Sequence, residues 1–139
     1  MNPRILLIDD EKSITDSLIR FLEFEGYKAD GINDPLKAME LIEKTNYMVI
    51  ISDISMPGKN GIELLTEIKK YNGMIQVIMI TGFVTMDNIL SCLREGASDC
   101  LFKPLDLEQF RDAVEEAVGK IKKWEKILKW LQKGKKGKY

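Results

Sequence analysis

The segment Ile5-Leu6-Leu7-Ile8-Asp9-Asp10-Glu11 joins four consecutive apolar residues directly to three acidic ones. A short, continuously apolar run is typical of a strand that is covered on both faces of a parallel sheet. Residues 47–52 form a second, largely apolar run, which is followed by Asp53. The segment therefore predicts a buried strand that carries acidic side chains to one edge of a sheet.

Strand-like and helix-like segments alternate along the rest of the chain. Strands are predicted at 5–8, 27–32, 47–52, 76–81 and 100–102, and helices are predicted to begin near residues 13, 35, 61, 86 and 107. Asp34 and Asp106 are expected to cap helices, and Gly26 to end one. Five strands alternating with five helices predict an α/β fold with a doubly wound parallel sheet and right-handed connections.

The length and composition of the chain exclude several classes of protein. With 139 residues the chain has the length of one domain. Its apolar runs are four residues long, far short of a membrane span, and its N-terminus lacks the features of a signal peptide, so we expect a cytoplasmic protein. Cys92 and Cys100 are expected to be free thiols rather than zinc ligands. Because histidine is absent from the sequence, mechanisms that need a histidine of this chain are excluded.

The formal net charge of −1 conceals two regions of opposite charge. Residues 1–118 carry 12 Lys and Arg against 21 Asp and Glu, a net charge of −9. Residues 119–139 carry 9 Lys against 1 Glu, a net charge of +8. The chain is therefore predicted to have an acidic body and a basic C-terminal tail.

Charged and hydroxyl side chains follow the predicted strands at their carboxyl ends. They are Asp9 and Asp10 after the first strand, Asp53 after the third, Thr81 at the end of the fourth and Lys103 after the fifth. Each residue alone is better explained as a turn residue, a helix cap or a surface charge. Together they fall at the edge where open parallel sheets form binding sites. Three acids at one place repel one another unless a cation such as Mg²⁺ lies among them.

A carboxylate beside Mg²⁺, an ammonium group and a hydroxyl suits one kind of chemistry. The carboxylate attacks a phosphorus atom, while the metal and the ammonium neutralise charge on the phosphoryl oxygens. The hydroxyl donates a hydrogen bond to one of these oxygens. The residues therefore favour formation of an aspartyl phosphate.

Five short motifs, in this order and spacing, give the sequence a specific resemblance. They are Ile8-Asp9-Asp10-Glu11, the segment 53–61, Thr81-Gly82, Gly96-Ala97-Ser98-Asp99 and Lys103-Pro104. Over residues 4 to about 118 the sequence resembles the receiver domain of two-component response regulators. The resemblance implies a flavodoxin-like fold, with a doubly wound five-stranded parallel sheet of order 2-1-3-4-5.

The resemblance also implies roles for the acidic residues. Asp53 is expected to be the phosphoacceptor. Asp9 and Asp10 are expected to hold Mg²⁺ together with Asp53 and the backbone carbonyl of Ser55, and Mn²⁺ is expected to be able to substitute. The implied phosphoryl donor is a phosphohistidine on a sensor histidine kinase or a histidine phosphotransfer protein.

Further implied roles concern the phosphoryl group and the switch that follows its transfer. Lys103 is expected to contact the phosphoryl group, and Thr81, which precedes Gly82, is expected to shift toward it. The peptide bond between Lys103 and Pro104 is expected to be cis, a state rarely accessible except before proline.

The sequence departs from the family at Cys100, where receivers usually carry Tyr or Phe. One hypothesis is that the aromatic half of the switch is absent or is replaced by Phe102 or Phe83, and the alternative is that Cys100 is a small buried filler. Phe83 and Ser55 occupy positions that tune the lifetime of the acyl phosphate in the family. Phe83 is expected to exclude attacking water, unless it is only a partly exposed loop aromatic.

The last predicted helix continues past the end of the receiver pattern, so the chain is divided into a receiver domain at 1–118 and a basic helical extension with a Lys/Gly-rich tail at 119–139. Its apolar residues continue with heptad-like spacing: Val114, Ala117, Ile121, Trp124, Leu128 and Leu131. Three interpretations remain open: a linker or homodimer seam leading to an unknown output domain, a helix that packs on its own or a partner's acidic surface, and a basic amphipathic helix for membranes or nucleic acid.

The favoured function is a phosphorylatable switch in a phosphorelay, rather than an enzyme that turns over a separate substrate. One alternative is a Mg²⁺-dependent phosphatase or phosphotransferase that works through an aspartyl phosphate. Such enzymes typically place the nucleophile after the first strand and a second acid two residues later, whereas Asp9 and Asp10 are adjacent. The other alternative is a receiver-like interaction module that is never phosphorylated.

Overall fold

Five strands and five α-helices alternate along the chain in a computed structural model, which describes residues 2–134. The elements are β1 (Arg4–Ile8), α1 (Lys12–Phe24), β2 (Ala29–Ile32), a 3₁₀ turn (Pro35–Lys37), α2 (Ala38–Lys44), β3 (Tyr47–Asp53), α3 (Gly61–Tyr71), β4 (Gln76–Thr81), α4 (Met86–Arg94), β5 (Asp99–Phe102) and α5 (Leu107–Gln132).

All strand pairs are parallel, and the sheet has the order β2-β1-β3-β4-β5. The predicted α/β fold and strand order are therefore confirmed. The register pairs Ile8 with Ser52 and Thr81 with Phe102, so the carboxyl ends of β1, β3, β4 and β5 lie at one edge of the sheet.

Helices cover both faces of the sheet, which explains the continuously apolar strands. Ile5 and Leu7 of β1 pack in a cluster with side chains of α1 and α5, around the fully buried Phe110. Leu6 and Ile8 point the other way, into a cluster with α2 and α3. Residues 5–8 of β1 are therefore buried on one face or the other, as expected for a central strand of a doubly wound sheet.

The second strand is shorter than predicted and begins at Ala29 rather than at residue 27. The backbone N–H of Tyr27 donates to the Leu22 carbonyl, and Gly26 adopts a positive φ of 91°, which together close the end of α1. Because this helix end uses the Tyr27 amide, the strand begins only after it. Likewise, the predicted second helix starts as a 3₁₀ turn, in which the Asp34 carboxylate accepts from the Leu36 amide.

Helix α5 is continuous across the predicted domain boundary at residue 118. Its 26 residues correspond to a length of about 39 Å. Ile121 is fully buried against the sheet, whereas residues 122–134 are exposed or half-buried. The predicted Lys/Gly-rich tail at 135–139 lies outside the described residues.

A close backbone contact fixes the start of α3 next to the end of β3. The Gly61 amide donates to the Ile54 carbonyl at 2.8 Å. A Cβ atom on Gly61 would lie 2.8 Å from the Ile54 Cα and well inside van der Waals contact with the Asp53 carbonyl oxygen. Only glycine therefore allows α3 to begin here without displacing the strand that carries Asp53.

We expect Gly61→Ala to lower the free energy of unfolding by about 1–3 kcal/mol, because the added methyl group meets backbone atoms that cannot move aside. Urea denaturation of both proteins measures the change. Gly119→Ala is the matched control: a Cβ there meets nothing within 4 Å, and a helical glycine replaced by alanine gains about 1 kcal/mol. Equal effects of the two substitutions would contradict the close contact at Gly61.

Candidate functional site

Three carboxylates converge at the carboxyl edge of the sheet. Asp9 follows β1, Asp10 comes next, and Asp53 is the last residue of β3. One oxygen from each carboxylate lies within 4.8 Å of the other two. Asp9 and Asp53 are buried, at 5% and 7% exposure, and Asp10 is exposed, so the cluster opens to solvent on one side.

Lys103, which follows β5, bridges the two buried carboxylates at this edge of the sheet. Its ammonium Nζ lies 2.9 Å from Asp53 Oδ2 and 3.4 Å from Asp9 Oδ2. The Lys103 backbone N–H donates to the Thr81 carbonyl at 2.9 Å, which fixes the lysine beside the end of β4. Burial lowers the pKa of Lys103, but its hydrogen bond and its attraction to Asp53 and Asp9 raise that pKa above the ordinary value.

The charge of Asp9 is only partly compensated in the folded chain. Burial raises the pKa of Asp9 above its ordinary 3.8, and the neighbouring charge of Asp53 raises it further. The backbone N–H of Glu11, which donates to Asp9 Oδ1 at 2.9 Å, and the ammonium of Lys103 act in the opposite direction. Because the net shift is upward, the folded protein would gain from a further positive charge beside Asp9.

The donor set of the cluster suits a hard divalent cation. Carboxylate oxygens are the ligands that Mg²⁺ takes in proteins, and the same oxygens suit Mn²⁺. The exposed Asp10 leaves room for the water ligands that Mg²⁺ usually keeps. Ser55 lies beside the cluster, because its backbone N–H donates to Asp53 Oδ1 at 3.2 Å. The predicted role of the Ser55 carbonyl as a ligand stays a prediction.

Thr81 is fully buried at the end of β4, and its hydroxyl bonds to the following loop. Its Oγ1 accepts from the Phe83 amide at 2.9 Å and donates to the Phe83 carbonyl at 3.1 Å. A shift of Thr81 toward a phosphoryl group would therefore exchange the bond to the Phe83 carbonyl for a new one. A Cβ on Gly82 would make only ordinary contacts, 3.8 Å from the Lys103 stem, so space alone does not require this glycine.

Cys100 is half-buried on β5, opposite Met79 of β4, and lies beside the buried Cys92 of α4. Burial and the adjacent Cys92 thiol raise the pKa of Cys100 to about 12. Phe102 and Phe83, the aromatic residues predicted to replace the usual ring, are both substantially exposed, at 46% and 68%. Both flank Thr81, Phe102 through the β4–β5 register and Phe83 through its hydrogen bonds.

Two features of this edge were missed from the sequence. Asn33 follows β2, and its side-chain Nδ2 donates to the Asp9 carbonyl at 2.8 Å and to Thr15 Oγ1 at 3.0 Å, which ties the acidic turn to α1. Its place after a strand was the available signal. A groove of about 460 Å³ also borders Lys103, and it is lined by Ser13, Ile14, Ser17, Leu18, Pro104, Leu105 and Leu107.

The comparisons with known proteins agree with this geometry. Residues 5–115 match the family model described as the response regulator receiver domain. The fold is similar to the crystal structure of a CheY-like response regulator receiver domain protein from Methanospirillum hungatei, with a TM-score of 0.85 and 29% sequence identity. That match covers 88% of this chain and 98% of the other.

Curated relatives match the same region. The transcriptional regulatory protein MalR of Bacillus subtilis is 34% identical over 114 residues, which are 81% of this chain and 48% of MalR. Sporulation initiation phosphotransferase F of the same organism is 32% identical over 116 residues, which are 84% of this chain and 94% of that protein. The chain spans about half or less of MalR and two further curated regulators that it matches.

We expect Asp9→Asn to stabilise the protein against heat at pH 7 when divalent cations are absent. The folded pKa of Asp9 is raised, so ionised Asp9 opposes folding above that pKa. Below the unfolded value, near 3.8, the carboxyl is protonated in both states and the opposition disappears. Thermal unfolding in a chelator, followed from pH 7 to below 4, measures the difference.

Asp16→Asn serves as the control, because Asp16 is an exposed partner of Lys12 on α1. It should give no gain that fades as the pH falls. A loss of stability in Asp9→Asn that is the same at every pH would contradict the electrostatic description of the cluster.

Proposed function

The chain belongs to the response regulator receiver domain family of two-component signal transduction, and we propose that Asp53 is the residue that accepts its phosphoryl group. The observation that carries this proposal is the contact of Lys103 Nζ with Asp53 Oδ2 at 2.9 Å inside a cluster of three carboxylates. Asp9 and Asp10 are adjacent and belong to one turn, whereas Asp53 stands apart from them and lies closer to Lys103 Nζ, at 2.9 Å against 3.4 Å for Asp9. Asp53 is therefore the favoured nucleophile.

In the proposed reaction an Asp53 carboxylate oxygen attacks the phosphorus of a phosphohistidine. An oxygen–phosphorus bond forms while the nitrogen–phosphorus bond breaks, and the histidine of the donor leaves. The ammonium of Lys103 is within reach of the oxygens of the transferred group, because it already contacts Asp53. Lys103 thus exchanges a carboxylate partner for a phosphoryl oxygen and keeps its charge compensated.

Asp9, Asp10 and Asp53 are the residues proposed to hold Mg²⁺, with the Ser55 carbonyl as a further ligand. Mn²⁺ can use the same oxygens. When bound, the cation supplies positive charge that stabilises the phosphoryl oxygens. The upward shift in the pKa of Asp9 supports the proposal, since burial, the main cause of the shift, disfavours the charged carboxylate and a cation beside it would favour that form.

Transfer to Asp53 is proposed to act on the rest of the fold through Thr81. The Thr81 hydroxyl would leave the Phe83 carbonyl for a phosphoryl oxygen and so loosen the loop between β4 and α4. Phe83 and Phe102 flank Thr81 and have exposed rings. Either ring can move with Thr81, as the Tyr or Phe that other receivers carry at the position of Cys100 does. That one of them does so, rather than Cys100 being only a filler, stays a prediction.

The donor is proposed to be a sensor histidine kinase or a histidine phosphotransfer protein, as is general for receiver domains. The groove beside Lys103 gives a donor helix an approach to the site, with apolar walls from Ile14, Leu105 and Leu107. The output partner, a homodimer through α5 and a cytoplasmic location stay predictions. So does the absence of turnover on a separate substrate, as opposed to a phosphatase or phosphotransferase activity.

We expect the chain to gain the mass of one phosphoryl group when it is treated with acetyl phosphate and Mg²⁺. Asp53→Asn should abolish the gain, because the amide is a poor nucleophile, and a chelator should abolish it in the parent. Intact-protein mass spectrometry measures the product. Asp87→Asn removes an exposed acid from α4 and should leave the gain unchanged.

A gain in mass that persists in Asp53→Asn would show that another residue accepts the phosphoryl group. No gain in the parent, with a control receiver phosphorylated under the same conditions, would favour an interaction module that is not phosphorylated.

We expect Phe83→Glu to shorten the lifetime of the phosphorylated protein several-fold. The large ring, at 68% exposure, stands two residues beyond Thr81, where we propose that it limits the approach of water, and a carboxylate would attract water instead. The decay of the phosphorylated mass after removal of the donor measures the rate. Val84→Glu adds the same charge one residue away, at 58% exposure, and should decay like the parent. An equal or slower decay in Phe83→Glu would reject the role of this ring.

A further inference from the structure

The C-terminal part of α5 extends beyond the body with its apolar side chains uncovered. We call residues 119–134 the α5 extension. Trp124, Leu128 and Leu131 are 49%, 44% and 57% exposed, and Ile127 and Trp130 are half-buried. Large apolar side chains that stay in water along a helix face mark a surface that binds something.

The large apolar side chains of the α5 extension lie on one side of the helix, and four of its six lysines lie on the other. At about 100° per residue, Trp124, Ile127, Leu128, Trp130 and Leu131 fall within an arc of about 160°. On the same basis Lys122, Lys126, Lys129 and Lys133 fall within about 60° on the opposite side, whereas Lys120 and Lys123 fall within the apolar arc. A wide apolar arc with tryptophans, opposed by lysines, is the pattern of a helix that lies in a membrane interface.

The charge of α5 reverses along its length. Its first half turns acidic side chains to solvent, and these are Glu108, Asp112, Glu115 and Glu116. The α5 extension carries six lysines against Glu125 alone. An anionic surface would therefore attract the extension and repel the acidic body, which fixes the orientation of the chain on that surface.

We propose that the α5 extension binds the interface of anionic lipid bilayers, with its apolar face at the acyl boundary and its lysines among the headgroups. This binding does not depend on phosphorylation of Asp53. No helix within residues 2–134 is long and apolar enough to cross a bilayer, so the contact is confined to the surface. Each lysine near such a surface strengthens binding about fivefold, and the apolar face adds a contribution that salt does not screen.

A bilayer covers both faces of the α5 extension, whereas a coiled-coil partner and a nucleic acid each cover one. In a two-stranded coil with a second copy, the seam would use Trp124, Leu128 and Leu131 and leave Trp130 in water. Nucleic acid would neutralise the lysines but leave the whole apolar arc in water. The breadth of the apolar arc and the charge opposite it together favour lipid.

The test uses the full chain and its intrinsic fluorescence. The two tryptophans of the sequence are Trp124 and Trp130, so the emission reports on the α5 extension alone. We expect a blue shift that saturates on titration with vesicles of phosphatidylcholine and phosphatidylglycerol in a two-to-one ratio. Brominated lipids should quench the shifted emission, and vesicles of phosphatidylcholine alone should bind far more weakly.

Matched variants separate the contribution of the α5 extension to vesicle binding from the effect of the protein's net charge. Lys122→Gln with Lys129→Gln should weaken vesicle binding about thirtyfold, at about fivefold for each lysine. Lys28→Gln with Lys70→Gln removes the same charge from exposed sites on the body and should change binding little. Leu131→Gln should also weaken binding, whereas Leu93→Gln, on the exposed face of α4, should not.

Three outcomes would overturn the proposal. A blue shift that needs no lipid and grows with protein concentration would assign the apolar face to a second copy. Binding to duplex DNA as tight as to the anionic vesicles would assign the lysines to nucleic acid. Absence of any lipid-dependent shift would remove the bilayer as the partner.

Discussion

The ammonium group of Lys103 holds two buried carboxylates together at the carboxyl edge of the sheet. Asp9 and Asp53 are contributed by β1 and β3, and the lysine follows β5, so three separate strands must be in register for the contacts at 2.9 Å and 3.4 Å to form. One ammonium group faces three carboxylates, and burial, the main cause, together with the charge of Asp53 raises the pKa of Asp9 in spite of Lys103. A buried acidic site of this kind suits a cation, and in the proposed reaction a phosphoryl group would give Lys103 a new partner.

Backbone contacts fix the residues of the site at the carboxyl edge of the sheet. Gly61 lets α3 start directly against the end of β3, and the Lys103 amide binds the Thr81 carbonyl, so Asp53, Lys103 and Thr81 are all fixed to strand ends. The loop after β4 is different, because the Thr81 hydroxyl holds it through two hydrogen bonds to Phe83. The rigid part of the site is thus built from strands, and the part that can change is a loop closed by one hydroxyl.

Much of this arrangement could be predicted from the sequence, because the apolar runs and the acids that follow them are local signals. The start of α3 and the bounds of β4 match the prediction, and the strand order follows from the family resemblance. The distances could not be predicted, since Lys103 is 94 residues from Asp9 and 50 from Asp53. The start of β2 was missed because the Tyr27 amide belongs to the end of α1, and Asn33 because one amide after a strand carries no distinctive pattern. That the apolar face of the α5 extension is uncovered could be learned only from the exposed fractions of its side chains, since their spacing in the sequence equally suits a coiled coil.

The central claim is that Asp9, Asp10 and Asp53 serve one cation and that Asp53 and Lys103 serve one phosphoryl group. A crystal structure with Mn²⁺ and beryllium fluoride tests it most directly, because the anomalous signal locates the metal and the fluoride marks the acceptor. We expect a manganese peak about 2.0–2.3 Å from oxygens of Asp9 and Asp53, beryllium on an Asp53 oxygen and Lys103 Nζ at a fluorine atom. Manganese bound elsewhere, or beryllium fluoride on a residue other than Asp53, would contradict the claim.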